Sequence, residues 1–338
     1  MSNWYCNNSP EEDIVVSTRV RLARNLSGIP FPSRMTAEMR EELKQKVKKV
    51  IKESNTPLAK NLKFIDMADV PDVEIGAMVE RHIISPEFAK SNIGRAVILS
   101  DDESISIMIG EEDHIRIQVI LGGLQLEKAY DIAEQIDSLL HSSLHFAFDS
   151  NLGYLTECPT NLGTGLRASV MLHLPLCEST GQLSTLSETV SKIGFTVRGL
   201  YGEGSKSAAS LYQISNQITL GINEKNAIDN LKIITSQLVD KERQAEKLIE
   251  TISVEDKVYR ALGTLENCRI LESKEMINLI SLIKLGVRMG IIKDDYSPIK
   301  LLIETQPNML MKKYGVLEPQ ERDKVRANHI REYFNSLK

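Results

Sequence analysis

The chain has little of what would make a protein secreted, membrane-spanning, zinc-structured or nucleic-acid-binding. Its 338 residues include only four cysteines, Cys6, Cys158, Cys177 and Cys268. They are scattered without CxxC or any other metal-ligand spacing, which argues against structural zinc and fits reduced thiols in a reducing compartment. No apolar run approaches the ~20 residues that cross a bilayer, so no membrane association is expected. The first residues, from Met1 to Cys6, lack a basic cluster followed by an apolar stretch. Neither a secretory signal nor a transit peptide is expected, and the expected location is cytoplasmic. A formal net charge of −5 supplies none of the basic surplus on which nucleic-acid binders rely. Internal repeats and low-complexity tracts are missing. So is a P-loop, because Gly199 to Ser207 reads GLYGEGSKS, with one residue too many before Lys206.

What is present describes an ordinary globular chain, 42% hydrophobic and 26% charged. Its length exceeds the roughly 100–200 residues of a single domain, so one large domain with an addition is expected. Residues 36–53 place Met39, Leu43, Val47, Val50 and Ile51 on one face, the spacing of an amphipathic helix. Ile105, Ile107 and Ile109 alternate with polar or flexible residues, as do Ile115, Ile117 and Val119, which predicts two half-buried strands. Between them Gly110-Glu111-Glu112-Asp113 predicts an acidic hairpin loop whose carboxylates project from the sheet rim. Helical spacing returns over 126–140, and strand-like runs follow at Val170–Leu174 and Gln213–Leu220. After about residue 224 glycines thin out and long helical patterns take over. The expected division is therefore a mixed domain over 13–223 and a helical domain over 224–338. Pro298, Pro307 and Pro319 punctuate the latter, Pro319 sitting well for the first turn of a final helix.

The chemistry-bearing residues begin with Ser17-Thr18-Arg19-Val20-Arg21. In a strand, Arg19 and Arg21 point the same way, and the planar fork of arginine suits phosphate oxygens. Two arginines alone would more often be a solvated strand face. Others are available: Arg116 on the polar face of the second hairpin strand, Arg167 after Gly163-Thr164-Gly165, and Arg198 before Gly199. Glycines let backbone N–H groups approach an anion closely.

The segment Cys158 to Val170, CPTNLGTGLRASV, closely resembles the signature around the reactive cysteine of the phosphagen kinases. Ser17 to Arg24 resembles their first nucleotide-binding segment, Glu111 to Arg116 (EEDHIR) their acidic catalytic loop, and Arg198-Gly199 the opening of their C-terminal loop. These motifs occur in the family's order over residues 13–222. The resemblance implies an α+β fold, an antiparallel sheet flanked by helices, followed here by an all-helical C-terminal domain. It implies ATP and Mg²⁺ as cofactors, the metal carried by the nucleotide with no metal site of the protein's own.

By the same resemblance Glu112 binds and helps deprotonate the guanidinium, Glu111 acts through water on Mg²⁺, and Cys158, as thiolate, contacts the substrate nitrogen. Glu203 matches a glutamate of arginine kinases, which favours arginine as acceptor. The implied nucleotide residues are Ser17, Thr18, Arg19, Val20, Arg21, His82, Arg116, Arg167, Ala168, Ser169, Val170, Met171, Arg198, Gly199, Leu200, Tyr201, Gly202 and Glu203. Gly110, Met171 and Tyr201 depart from the usual pattern, and Gly110 is expected to give the acidic loop more backbone freedom.

The resemblance starts directly at the catalytic domain, so a site without the N-terminal lid with which phosphagen kinases close over a free substrate is expected. An open site suits an arginine side chain on a protein. The overall pattern, including Gly202 to Ser205 and Tyr212 to Gln217, resembles the protein-arginine kinases of Gram-positive bacteria. That family's usual role, marking proteins for degradation under stress, implies as partners protein substrates bearing arginine, a small zinc-binding activator, a heat-shock repressor and the Clp protease. A homodimer or higher oligomer is expected. Arg322-Asp323-Lys324-Val325-Arg326-Ala327 resembles the family's allosteric phosphoarginine pocket, in which Arg322 and Arg326 would grip the phosphoryl group and Asp323 the guanidinium. The alternatives are a free-arginine phosphagen kinase and a non-catalytic phosphoarginine-binding module. The latter would leave its acidic loop idle.

Overall fold

The computed structural model describes residues 3–6, 9–199, 207–293 and 296–337. Its strands are β1 Val15–Arg24, β2 Leu62–Asp66, β3 Ala96–Ser100, β4 Ile105–Ile109 and β5 Ile115–Gly122, then a small hairpin, β6 Phe148–Asp149 with β7 Gly153–Tyr154, and finally β8 Leu166–His173, β9 Phe195–Gly199 and β10 Leu211–Asn216. Eight of them form one sheet in the order β2-β3-β4-β5-β1-β8-β10-β9. All its neighbouring strands are antiparallel.

The expected hairpin is β4–β5. The expected strand at Gln213–Leu220 ends at Asn216, because the chain there turns and leaves Ile218 and Leu220 about half exposed. A strand cannot continue where its apolar side chains find no sheet face to cover them.

Helices α1 Ala37–Glu53, α2 Pro57–Lys60, α3 Asp72–Glu80, α4 Pro86–Ala89 and α5 Leu126–His141 lie between the first strands. Thr36 caps α1 by accepting from Met39 N, and Leu43, Val47 and Ile51 are buried as the spacing requires. After β8 come α6 Pro175–Ser179, α7 Gln182–Lys192 and α8 Glu224–Glu246, then α9 Thr251–Asn267, α10 Ser273–Arg288, α11 Pro298–Glu304, α12 Pro307–Tyr314 and α13 Pro319–Ser336. Pro298, Pro307 and Pro319 each open a helix, where a missing N–H costs nothing. A capping box between Glu318 and Glu321 fixes the start of α13. No described helix is long and apolar enough to cross a membrane.

One core lies under the sheet. It joins Val20, Leu22, Ile117, Ala168 and Val170 to α1, α5 and α8, the last through Ala227, Ile228, Leu231, Ile234 and Leu238. Thus α8, which opens the expected helical domain at 224, buries its apolar face against the sheet. A second core gathers α9, α10, α11 and α13 and reaches Val16, Leu176, Ala209 and Leu211 of the sheet domain.

Polar contacts stitch the two cores together. Glu242 accepts from Leu176 N, Cys177 N and Arg288 Nη2, and Lys284 donates to Glu12 O. Ser281 donates to Ala209 O at 2.9 Å, so it must accept from His173 Nε2 at 2.8 Å. Nδ1 of His173 is buried without a partner. Burial, reinforced by Lys284 and Arg288, holds its pKa well below the ordinary value.

Burial likewise lowers His82, to about 4 with help from Arg19, and lowers His114 and His329. In the unfolded chain these rings titrate near ~6.5, so below that pH the unfolded state binds protons that the native state refuses. Stability should fall as pH drops from 6.5 toward 4. Thermal melts across that window should show a declining Tm, with a shallower decline in His173→Gln; parallel profiles for the two proteins would remove His173 from the cause.

Candidate active site

Strand register assembles the site. In β1, Arg21 lies opposite Arg167 of β8 and Arg19 opposite Ser169, while Ala23 lies opposite Arg116 of β5. Paired residues share a face, so arginines from three adjacent strands stand together on the side away from the main core. Ser17, Ser169, Met171 and Gln213 belong to this face, and Arg19 Nη2 donates to Gln213 Oε1 at 3.1 Å. Arg198 of β9 lies opposite Gln213 and is exposed. Alternation sends Thr18, Val20, Ala168 and Val170 to the other face. Val20, Ala168 and Val170 are core there, and Thr18 donates to Gly123 O. Of the implied nucleotide segments, those four positions can offer a ligand only backbone.

A cavity of about 370 Å³ opens beside the arginine row, lined by Arg19, Arg21, Arg116, His82, Met108 and Met171 among others. Burial and the charges of Arg116 and Arg167 lower the Arg19 pKa to about 10. The same causes, with Arg19 added and Glu111 opposing, lower Arg21 well below its usual value. Burial and Arg198 lower Arg167. Like charges gathered in a half-buried site repel one another, and a polyanion would relieve that cost.

The acidic loop hangs over one end of the row. Glu111 is 1% exposed in its side chain and pairs with Arg116 Nη1, while Glu112 is 39% exposed and lies 3.3 Å from Arg116 Nη2. One carboxylate is thus fixed against Arg116, and the next is open to solvent. Gly110 stands where the loop's backbone favours glycine. Its φ of +81° places it in the left-handed region, and a Cβ there would lie 3.0 Å from Gly94 O. Arg95 Nε donates to Gly110 O at 3.1 Å and Arg95 Nη1 to Phe88 O at 2.6 Å.

Asp113 ties the loop to the cysteine segment. Its Oδ1 accepts from Asn25 Nδ2 at 2.7 Å and from Glu157 N at 2.9 Å, next to Cys158. Cys158 is half-buried, with Sγ 3.1 Å from Thr160 Oγ1. Gly163, farther along the segment, has φ +107°, and a Cβ there would lie 2.2 Å from Thr219 O, so only glycine fits. Leu200, Tyr201, Gly202 and Glu203 lie outside the described residues.

Comparison with known proteins shows the family. A description of the ATP:guanido phosphotransferase C-terminal catalytic domain matches residues 42–245, and one of the protein-arginine kinase McsB C-terminal domain matches 251–338. Over 341 residues the chain is 46% identical to the protein-arginine kinase of Halothermothrix orenii, spanning 99% of this chain and 97% of that protein. The chain belongs to the protein-arginine kinase family. It is 43% identical to the Bacillus subtilis protein-arginine kinase over 338 residues, 98% of this chain and 93% of the relative. Among solved structures, lombricine kinase superposes with a TM-score of 0.62 at 21% identity, covering 71% of this chain and 69% of its own, a likeness of fold. The substrate-free duplicated taurocyamine kinase of Schistosoma mansoni gives 0.59 at 27% identity, over 68% of this chain and 32% of its own.

As a protein-arginine kinase family member the chain is a phosphotransferase that uses ATP. Several groups that shape its site carried no sequence signal. Ser85 caps α4 by accepting from Phe88 N, and its hydroxyl donates to Glu111 Oε1, so both oxygens of Glu111 are engaged. Asn25 and Arg95 are equally silent in sequence, since single polar residues have no period.

The candidate phosphoarginine motif lies on α13, in the second core. Arg326, expected to share the phosphoryl group with Arg322, is 0% exposed. Its Nε donates to Thr305 O at 3.0 Å and its Nη1 to Leu271 O at 2.8 Å and to Asp323. Nε and Nη1 are committed to the protein, so at most Nη2 of Arg326 is left for a ligand. Ala327 is buried, Val325 half-buried and Lys324 exposed; Arg322, half-buried, makes only long contacts to Met311 Sδ and Leu317 O. Arg322 and Asp323 are the members that a ligand could meet.

Proposed function

We propose that this chain transfers the γ-phosphoryl group of ATP to the guanidinium of arginine side chains in proteins. The observation that carries the reading is the arrangement of Arg19, Arg21, Arg116 and Arg167 on one sheet face beneath Glu111 and Glu112. Phosphoryl transfer needs neutralised oxygens and an aligned nucleophile more than covalent help. The arginine row would hold the phosphates. Glu112 would orient the guanidinium and take its proton as the nitrogen attacks phosphorus and ADP departs.

Among the described residues no group of three or more His, Cys, Asp or Glu is placed to hold a metal ion. Glu111, fixed by Ser85 and Arg116, would be the carboxylate nearest an ion carried by the nucleotide. When bound, Mg²⁺ supplies further neutralisation of the phosphate oxygens. Relatives matched over nearly their whole length, each called protein-arginine kinase, support a protein acceptor.

On the same family grounds we place the enzyme in the cytoplasm, marking proteins for Clp-dependent degradation under stress. A zinc-binding activator and a heat-shock repressor would be partners, the enzyme would be a homodimer or larger, and phosphoarginine would act at Arg322 and Asp323. The purified protein should be incubated with Mg·ATP and either an unfolded protein or free arginine, then analysed by mass spectrometry under non-acidic conditions. Phosphoarginine on the protein, with kcat/KM for free arginine far lower, is the expected result. Phosphate only on Ser, Thr or Tyr would overturn guanidinium transfer, and comparable kcat/KM for free arginine would favour a free-arginine kinase.

A further inference from the structure

The cavity beside the arginine row is not walled by the sheet domain alone. Gln306, the residue that opens α12 in the C-terminal helices, also lines it, together with Val79, Glu80 and His82. Gln306 is 7% exposed, and its Nε2 donates to Leu302 O at 2.9 Å. That bond uses one of the two amide hydrogens and fixes the side chain, leaving Oε1 as its acceptor beside the second N–H.

Residue 306 is held from both sides. On the sheet-domain side, the Glu80 carboxylate accepts from Asn308 N at 2.9 Å, Asn308 Nδ2 at 2.7 Å and Met309 N at 2.8 Å. Charge-assisted bonds to the first amides of a helix are strong and satisfy donors that have no intrahelical partner. The fit is close, since a Cβ on Gly76 of α3 would lie 2.5 Å from the Asn308 side chain. On the far side, Arg326 of α13 donates to Thr305 O.

We propose that Gln306 is a nucleotide-binding residue supplied by the C-terminal helices, and that Glu80 is the positioning residue that holds it in the cavity. This rests on the reading that the cavity takes ATP. An acceptor there selects a donor on the nucleoside, either the exocyclic amino group of adenine or a ribose hydroxyl. The C-terminal helices then complete the nucleotide site, and their docking and nucleotide affinity are linked.

The test measures direct binding, by displacement of a fluorescent nucleotide, for wild type, Gln306→Ala, Glu80→Gln and Arg21→Ala. Gln306→Ala should weaken ATP about tenfold, the worth of one hydrogen bond in a partly buried site. If the amino group is the donor, GTP affinity stays unchanged. If a ribose hydroxyl is the donor, ATP and GTP weaken alike and 2′,3′-dideoxy-ATP becomes insensitive to the substitution. Unchanged ATP affinity in Gln306→Ala alongside a large loss in Arg21→Ala overturns the role of Gln306 and keeps the cavity as the nucleotide site. Unchanged affinity in Arg21→Ala overturns that reading itself. Hydrogen exchange on the folded full chain supplies a second measurement. Nucleotide should slow exchange at residues 307–314 in wild type, and Glu80→Gln should lose this nucleotide-dependent protection, a response that a purely structural cap would not produce. No nucleotide effect on those amides in wild type counts against the proposal even if Gln306→Ala misfolds.

Discussion

Replacing Glu112 with alanine should lower kcat for arginine phosphorylation by about 10²–10⁴-fold, the range for losing a positioned proton acceptor, while ATP affinity stays within about twofold. The two effects separate because different elements perform them. The phosphates would be gripped by arginines on β1, β5 and β8, whereas Glu112 sits on the loop between β4 and β5, with its side chain 39% exposed beside Arg116. Arg116 retains Glu111 as a partner when Glu112 is removed, so the arginine row should keep its geometry. Glu112→Gln, which keeps the shape and loses the basicity, should be nearly as slow. An equal loss of ATP affinity, measured by equilibrium binding in either variant, would move Glu112 from the acceptor side of the site to the nucleotide side.

The second large effect is on stability. Arg326→Ala should cost about 3 kcal/mol or more, because it leaves buried carbonyls of Leu271 and Thr305 without donors and opens a cavity in the second core. Burial already lowers the Arg326 pKa, with Asp323 opposing, the pattern of a charge kept in the interior by its partner. At about 2–4 °C per kcal/mol for domains of 150–250 residues, thermal melting followed by circular dichroism should drop by roughly 10 °C. Arg322→Ala, half-buried and held only by long contacts, should leave Tm nearly unchanged and remove any stimulation by phosphoarginine. A stable Arg326→Ala protein would show that its three bonds matter less than their burial implies. Stimulation that survives Arg322→Ala would leave α13 as a structural helix only.

The sequence by itself determined what repeats or what is long. The 3.6-residue spacing of Leu43, Val47 and Ile51 specified α1, the alternation through 105–119 specified the β4–β5 hairpin, and prolines marked the starts of α11, α12 and α13. The string from Cys158 to Val170 is long enough to identify the reaction class. Alternation in β1 also put Arg19 and Arg21 on one side of a strand, since that depends on the backbone of neighbouring residues alone.

Only the tertiary structure decided which groups meet. Arg19 and Gln213 are 194 residues apart, Asp113 and Glu157 are 44, and Ser85 and Glu111 are 26. Each pair is joined by one hydrogen bond between common polar residues, which leaves no pattern in the chain. The place of α8 depended on which apolar surface was left uncovered, and that is a property of the assembled sheet. The same holds for Arg326. Its neighbours in sequence make it look like half of a phosphate clamp, but the packing of α13 on α9 and α12 decides that its guanidinium ends among backbone carbonyls. Burial is set by everything that packs around a residue, and a charged side chain in a buried position must take whatever partners the fold brings to it.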